Sequence, residues 1–333
     1  MTRFSRRRRG ETVADAAPFV PTVGEGGVIQ VCHPQWRGVR SSAIAFGDPI
    51  LESPDLNALI PRIGELRDAG VATIVIQGWP PGSAPFARAA QAEGMDVRAV
   101  SHSAPTQHGV DSGEAEAVAG ALELLSVGVL TRFGTVKAGL REAYASLGHT
   151  VDHVPNRVPE VSGVTSRRHD GGTHAGVFLF PMWRKNVATQ ILAARTLGWT
   201  PHVMADPNVP YLSKRDFVAH GEIKRDDFLP LMASMDINLN VTLSECHPMM
   251  PMESYRLGVP CLMSRTSDLF AANEELWELT TVDRIDDPSA IATAAKRLSA
   301  DKDRAVELAN LELDTVDAAA RSAWWAFTGR SSD

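Results

Sequence analysis

The chain has 333 residues, of which 44% are hydrophobic, and its 33 basic and 40 acidic residues give a formal net charge of −7. This length is roughly twice the ~150 residues of one typical domain, so we expect two domains. An acidic body gives no support for nucleic-acid binding, and no apolar run reaches the roughly 18 residues that a membrane-spanning helix needs. The three cysteines show neither a pairing pattern nor metal-ligand spacing, which indicates a reducing compartment and a cytoplasmic protein.

Residues 1–24 begin with a strongly basic segment, M-T-R-F-S-R-R-R-R-G. No apolar run follows it, which argues against a signal peptide and favours a disordered basic tail. Attraction to an anionic membrane surface is the alternative, at about 1 kcal/mol for each basic residue. That alternative suits a lipid-linked substrate at the inner face of a membrane.

Residues 25–157 alternate predicted strands and helices, as an open parallel sheet requires. The predicted strands cover residues 26–32, 71–77 and 95–100, with a short strand opening 127–148. Residues 33–43 predict a turn that opens a helix, and further helices are predicted over residues 56–69 and 84–93 and at the end of 127–148. This pattern predicts a Rossmann-like first domain.

Polar and aromatic side chains follow the first three of these strands. They are His33, Trp36, Arg37 and Arg40 after the first strand, Trp79 after the second, and His102 and His108 after the third. Because ligands of open α/β sheets bind beyond the carboxyl ends of the strands, we expect these side chains to line a cleft. A structural histidine or a half-buried tryptophan remains an equal alternative for each of them taken singly.

Residues 158–174 lack periodicity and are rich in Gly, Ser, Thr and charge, which predicts a linker. A second α/β domain follows at residues 175–317, where residues 176–198 predict a strand, a loop with Arg184 and Lys185, and a helix. Residues 318–333 predict a last helix that carries Trp324 and Trp325 and returns to the first domain. Two adjacent indoles cannot face one helix stripe, so one of them is expected to pack there.

Residues 236–264 contain the most informative stretch, in which Glu245 and Glu253 are separated by seven residues. Residues 236–243 alternate apolar and polar types and predict a strand. Proline is tolerated in the first turn of a helix, and Gly258 is a typical helix stop, so a short helix is predicted from about Met249. The first amides of such a helix, from Met249 and Met250, form a natural phosphate seat. Glu253 is then placed to accept from the hydroxyls of a ribose.

This stretch resembles the E-x7-E motif of the family-4 retaining glycosyltransferases. The flanking residues 232–240 and 257–262 resemble the segments on either side of that motif, and residues 154–158 resemble the entry to the second domain. The resemblance implies the GT-B architecture, in which two Rossmann-like domains face each other across a cleft. It also implies transfer of a sugar from a nucleotide-diphosphate sugar to an acceptor hydroxyl, with retention.

The resemblance also assigns roles to individual residues. Lys185 would grip the diphosphate with Arg184 as a second cation, and Glu245 would position the transferred sugar and stabilise its charge. His102 would contact that sugar, and Gly38 would lie in the first strand-to-helix turn. Arg132 and Lys137 would face the diphosphate from across the cleft, although a solvated helix face explains Lys137 equally well. The predicted donor site is formed by Arg184, Lys185, Cys246, His247, Pro248, Met249, Met250 and Glu253, with Cys246 interpreted as space-filling rather than nucleophilic.

One departure from the family pattern lies at Leu179 and Phe180, where many members have Arg or Thr. Part of the diphosphate grip is therefore expected to be missing or supplied from elsewhere. No D-x-D pair lies within or next to this motif, so we expect neither a catalytic metal nor a cofactor beyond the nucleotide-sugar co-substrate. The acceptor is left open among a glycan, a lipid-linked group, a protein and a small molecule. A GT-B nucleotide-sugar epimerase and an inactive transferase-like binding module are the competing interpretations.

Overall fold

The computed structural model describes residues 23, 26–166 and 168–330. Apart from Val23, the predicted basic tail lies outside these residues. No helix in the described part of the chain is long and apolar enough to cross a membrane.

The first half of the chain forms a parallel six-stranded sheet with the order β2-β1-β3-β4-β5-β6. Its elements are β1 (Val28–Cys32), α1 (Arg37–Phe46), β2 (Ile50–Glu52), a 3-10 helix (Leu56–Arg62), α2 (Ile63–Asp68), β3 (Thr73–Gln77), α3 (Ser83–Ala92), β4 (Asp96–Ser101), α4 (Pro105–His108), α5 (Ser112–Ser126), β5 (Arg132–Thr135), α6 (Leu140–Ser146) and β6 (Asp152–His153). Strands β1 and β3 are fully buried aliphatic runs, as expected of the centre of a parallel sheet covered on both faces.

The second half forms another parallel six-stranded sheet with the order β12-β11-β10-β7-β8-β9. Its elements are β7 (His174–Val177), a 3-10 helix (Trp183–Lys185), α7 (Val187–Thr196), β8 (Thr200–Val203), β9 (Val218–Ala219), α8 (Arg225–Ala233), β10 (Ile237–Asn240), α9 (Met249–Arg256), β11 (Cys261–Ser264), α10 (Glu274–Thr280), β12 (Thr281–Val282), α11 (Pro288–Ala300) and α12 (Lys302–Thr328). The predicted α/β class with two Rossmann-like sheets is confirmed.

Several elements differ from the sequence expectation, among them three in the first half of the chain. The helix predicted over residues 56–69 is divided, because Pro61 lies inside the 3-10 segment Leu56–Arg62 and α2 begins only at Ile63. Proline removes a helical hydrogen bond and clashes with the preceding turn. The edge strand β2 has three residues and α5 lies in an alanine- and glutamate-rich segment, and neither element was predicted.

The last helix packs against the first sheet. The Trp324 side chain is buried, stacks on Phe46 with ring centroids 4.0 Å apart, and donates from its indole nitrogen to Asp48 at 2.7 Å. Arg330 donates to both carboxylate oxygens of the same Asp48 at 2.8 Å. Trp325 is only partly buried. One indole of the pair is therefore buried in the core beside the first sheet, and the other packs against the same cluster while it stays partly exposed.

The two sheets also meet where their strands end. Thr106 in α4 and Ser244, just after β10, share a short hydroxyl contact. Asn156 donates to the carbonyl of His247 at 2.7 Å and accepts from Ser42 at 2.6 Å. Since the carboxyl ends of parallel strands lie at one edge of a sheet, these contacts bring the two edges together around the segment that contains Glu245.

Candidate active site between the two sheets

Helix α9 begins at Met249, directly after Pro248, and ends before Gly258, whose φ of +76° is the left-handed conformation of a helix stop. The helix predicted here is confirmed. The amides of Met249 and Met250 lie in the first turn, where an α-helix offers its N–H groups no internal acceptor. These amides and the helix dipole favour an anion at this position.

Glu245 lies in the loop between β10 and α9, where Lys185 donates to its carboxylate at 2.6 Å. Both side chains are largely buried, with 13% of Glu245 and 17% of Lys185 exposed. Burial on its own raises the pKa of Glu245, but the charge and hydrogen bond of Lys185 lower it more, with help from Arg184 and the Cys246 amide. The pKa of Glu245 therefore lies below its ordinary value, and the group is an anion at neutral pH.

Lys137 reaches this loop from the first sheet. Its ammonium group donates to the Glu245 carbonyl at 2.9 Å and to the Thr266 carbonyl. In the sequence a solvated helix face explained Lys137 equally well, whereas the structure gives it two carbonyl partners on the opposite half of the molecule. Three cationic side chains, Lys137, Arg184 and Lys185, thus surround the Glu245 segment.

Glu253 lies one turn inside α9 and has only 3% of its side chain exposed. Arg225, at the start of α8, donates to it at 2.6 Å and also lies 3.5 Å from the Ser41 hydroxyl of α1. Burial raises the pKa of Glu253 above its ordinary value, and the neighbouring guanidinium offsets this only in part. Sequence reasoning missed Arg225, since nothing in the residues around it marks a ligand site.

Cys246 and His247 fill the space between the two glutamates. Burial raises the pKa of the Cys246 thiol to about 12, so this thiol is not a nucleophile at neutral pH. The His247 imidazole is buried, its Nδ1 has no partner among the described residues, and burial lowers its pKa to about 4.

His102 follows β4 and lies 2.8 Å through Nε2 from the Gln77 side-chain oxygen. The Gln77 amide nitrogen donates to Gln30 at 2.8 Å, so Gln77 presents its oxygen to His102 and His102 Nε2 carries the proton. Burial lowers the pKa of His102 to about 4. The group is therefore a neutral imidazole whose Nδ1 can accept a hydrogen bond. His108 lies nearby, 3.1 Å from the Ser103 hydroxyl.

Three aromatic residues from the predicted cleft lie at the ends of β1 and β3. His33 stacks on Trp36 at 5.0 Å, and Trp36 covers Gly78, where a Cβ atom would approach the indole to 3.1 Å. Gly78 also has a φ of +82° and Trp79 a φ of 65°, an uncommon conformation for a bulky residue that marks a constrained turn.

Arg37 crosses to the second half of the molecule. Its guanidinium pairs with Glu222 at 2.6 Å and lies 5.4 Å above the ring of Phe180. Phe180 is the position at which the family resemblance called for Arg or Thr. The Arg37 guanidinium, from the first half of the chain, therefore lies beside the position at which the second half has Phe180 in place of an arginine or threonine.

Three predicted cleft residues have other surroundings. Arg40 pairs with Glu52 at 2.5 Å, and Gly38 lies inside α1 instead of in the turn before it. Arg132 is the first residue of β5, at the end of the sheet opposite to the cleft, where it pairs with Asp152 at 2.6 Å and donates to the Ala326 carbonyl. The structure does not bring Arg132 to the diphosphate side, because the strand begins at this residue and does not end near it.

No protein-family model matches the chain, and a search of the curated proteins finds no matching sequence. Solved structures do match it. The UDP-forming α,α-trehalose-phosphate synthase of Burkholderia vietnamiensis is 11% identical, with a TM-score of 0.60 over 90% of this chain and 99% of that one. HepE of Anabaena, in complex with UDP and glucose, is 12% identical, with a TM-score of 0.60 over 88% and 97% of the two chains. The sucrose-phosphate synthase of Thermosynechococcus elongatus is 15% identical, with a TM-score of 0.56 over 84% and 78%.

With only 11%, 12% and 15% of residues identical, these comparisons show similarity of fold and no more. Nearly the whole of this chain aligns with nearly the whole of each of the first two structures, including both sheets and the crevice between them. The protein therefore has the two-domain GT-B fold that the sequence resemblance implied.

Proposed function

We propose that this protein is a retaining glycosyltransferase that moves a sugar from a nucleotide-diphosphate sugar to an acceptor hydroxyl. The observation that carries the proposal is the junction at which the two sheets meet, around the segment from Glu245 to Glu253. There an amide-lined helix start lies between two buried glutamates, each held by one cation at 2.6 Å. Cations and helix amides stabilise a departing diphosphate, which gains negative charge as its bond to the sugar breaks.

The donor is proposed to be a uridine diphosphate sugar, with support from the HepE structure, which holds UDP. Its diphosphate would lie on the Met249 and Met250 amides, with Lys185 and Arg184 beside it. Its ribose hydroxyls would donate to Glu253, whose buried side chain Arg225 holds at 2.6 Å. Cys246, His247 and Pro248 would form the wall between these two positions.

In the proposed reaction, the bond between the anomeric carbon and the diphosphate oxygen breaks, and the acceptor oxygen bonds to that carbon on the same face. The proton of the acceptor hydroxyl leaves with the diphosphate. The Glu245 carboxylate would stabilise positive charge on the sugar ring, and the His102 imidazole would accept a hydrogen bond through Nδ1. No carboxylate or thiol is needed to form a covalent sugar intermediate.

The acceptor would enter beside the first sheet, where His33, Trp36, Arg37, Trp79 and His108 follow the strand ends. Aromatic faces next to polar groups suit a sugar ring, which has apolar faces and polar edges. A glycan, a lipid-linked group, a protein and a small molecule all remain candidates as the carrier of that ring. The narrower assignment to family 4, carried by the E-x7-E motif, stays a prediction.

A donor screen with the full-length protein tests the proposal first. Uridine, guanosine, adenosine and thymidine diphosphates and their glucose conjugates are compared by thermal unfolding. A ligand at a hundred times its dissociation constant should add about 2.7 kcal/mol to the free energy of unfolding. We expect a uridine diphosphate to give the largest shift, and Lys185→Met to remove that shift.

Transfer is then measured as release of free nucleoside diphosphate with a panel of sugar and sugar-phosphate acceptors, and nuclear magnetic resonance assigns the anomeric configuration of the product. Glu245→Gln is compared with the matched control Glu275→Gln, whose carboxylate forms an exposed pair with Arg304. An isomerised donor without transfer would indicate an epimerase. Binding without hydrolysis or transfer would indicate a binding module.

A further inference from the structure

Four histidines gather beside the second sheet, outside the crevice. His174 begins β7, His202 lies in β8, His220 follows β9, and His169 lies in the segment that joins the two halves of the chain. Gly176 pairs with His202 in the parallel register of β7 and β8, so His174 and His202 lie on one face of the sheet. His174 and His202 are buried, whereas His169 is exposed.

One ring nitrogen each from His169, His174 and His202 lies within 4.8 Å of those of the other two. His174 Nδ1 and His202 Nε2 are only 2.9 Å apart. Nitrogens that share a tetrahedral Zn²⁺ ion at about 2.0–2.1 Å lie about 3.3 Å from one another, so the spacing of these three approaches that of metal ligands. The His169 and His174 rings stack with centroids 4.7 Å apart, and they would have to rotate for both nitrogens to point at one ion.

Each of the three imidazoles is also held from behind. His169 Nε2 lies 3.2 Å from the Ser234 hydroxyl, His174 Nε2 lies 3.3 Å from the Gly171 carbonyl, and His202 Nδ1 lies 2.9 Å from His220 Nε2. Without an ion, one of His174 Nδ1 and His202 Nε2 carries the proton of the 2.9 Å hydrogen bond between them. With protons on the outer nitrogens instead, the inner nitrogens would be free to bind an ion. Metal-binding histidines characteristically donate their second ring nitrogen to such a partner, which fixes the ring orientation.

We propose that His169, His174 and His202 form a binding site for one divalent transition-metal ion of the zinc class, with His220 as the outer partner of His202. Three imidazoles are the ligand set of an open zinc site, in which water occupies the fourth position. The exposed His169 gives the ion access from solvent. The electrostatic influence of Asp170 and Asp236 on His169 provides negative charge nearby.

An ion here would join the segment between the two sheets to β7 and β8. His220 is also close in sequence to a contact between the two halves of the chain, because Glu222, two residues later, pairs with Arg37 of α1.

The test uses the full-length protein without an affinity tag, first stripped with a chelator and then titrated with Co²⁺ and Zn²⁺. We expect about one ion per chain by elemental analysis, a tetrahedral Co²⁺ visible spectrum, a rise in melting temperature with Zn²⁺, and imidazole ligands by X-ray absorption. These measurements do not depend on glycosyl transfer, so they test the metal site independently of the proposed function.

His169→Gln removes the exposed ligand and should weaken binding at least ~10-fold, and His220→Gln should weaken it ~10- to 100-fold by releasing the outer contact of His202. His149→Gln, outside the cluster, is the matched control and should bind as the wild type does. A folded wild-type chain that takes up neither ion would overturn the proposal. Binding by His169→Gln that equals that of the wild type would also overturn it.

Discussion

The loop around Glu245 and the helix around Glu253 contain the same type of residue and the same 2.6 Å contact with one cation, yet their electrostatics differ. Glu245 has Lys185, Arg184 and the Cys246 amide around it, and its pKa is lowered. Glu253 is more deeply buried, has Arg225 alone, and its pKa is raised. The number of compensating groups, and not burial by itself, thus decides in which direction the pKa of a buried carboxyl group shifts. Glu245 suits charge stabilisation, and Glu253 suits hydroxyl recognition.

Replacing the Glu245 carboxylate is the most direct test of this difference between the two glutamates. Glu245→Gln keeps the shape of the side chain but removes its charge, and we expect kcat to fall about 10²- to 10³-fold, as for loss of one stabilising group in a polar active site. Glu253→Gln should raise the KM for the donor more than it lowers kcat. Steady-state kinetics with the best donor measures both. Equal effects on kcat from the two variants would contradict the division of roles.

Removing the cation beside Glu245 tests its buried pair. Lys185→Met leaves a carboxylate enclosed with fewer partners, and we expect the free energy of unfolding to fall by about 3 kcal/mol. Adding Glu245→Gln to the same chain should recover much of this loss, because the uncompensated charge is then gone. Urea unfolding of the two single variants and the double variant measures the coupling. Additive losses would show that the two side chains do not stabilise each other.

His247, between the two glutamates, gives the segment a pH dependence. Its pKa of about 4 in the folded protein lies below the ordinary value of 6.5, so the unfolded chain binds more protons. The stabilising contribution is full above about pH 6.5 and is lost as the pH falls towards about 4. At pH 5 the loss is about 2 kcal/mol. Among the groups facing it, Asp268 opposes the shift and His153 favours it.

Urea unfolding at pH 7 and at pH 5 checks this expectation. His247→Gln should lose less stability between the two values than the wild type loses. His149→Gln, a change of the same kind in a partly exposed residue, should keep the wild-type dependence. An unchanged pH dependence in His247→Gln would contradict the assignment.

The smallest expected effect is on the pH dependence of the free energy of unfolding, to which the two glutamates contribute with opposite sign. The contribution of Glu245 is present above its ordinary pKa and is lost as the pH falls, because its folded pKa is lowered. The contribution of Glu253 has the opposite sign and is lost as the pH rises through its raised folded pKa. Unfolding free energies of the two Glu→Gln variants, measured against pH, should therefore diverge from the wild type at opposite ends of the range. Divergence at the same end would refute the comparison.

Features set by neighbouring residues could be predicted from the sequence. The prolines before and inside α9 and the left-handed Gly258 after it defined that helix closely, and aliphatic runs defined β1 and β3. The 3-10 segment around Pro61 was missed because a proline can either start a helix or divide one. The strand β2 was missed because three residues at a sheet edge carry too little periodicity.

The partners of the site residues could not be predicted. Arg225 precedes Glu253 by 28 positions, and Asn156 and His247 are 91 positions apart. Such pairs form only when strands and helices from different parts of the chain take their places. Arg132 was predicted to face the diphosphate because its side chain is basic. It is the first residue of β5, and it therefore lies at the edge of the sheet opposite to the proposed site. The histidines at 169, 174, 202 and 220 showed no metal spacing either, because the parallel pairing of β7 and β8 brings them together.

The position of Trp324 on Phe46 has a consequence for how the protein is made. The ribosome completes every strand of the first sheet about 170 residues before it reaches this tryptophan, so the apolar surface that Trp324 covers stays exposed on the nascent first half until then. A nonsense mutation shortly before Trp324 would spare every strand of the described residues and still leave the earlier synthesised half without this tryptophan.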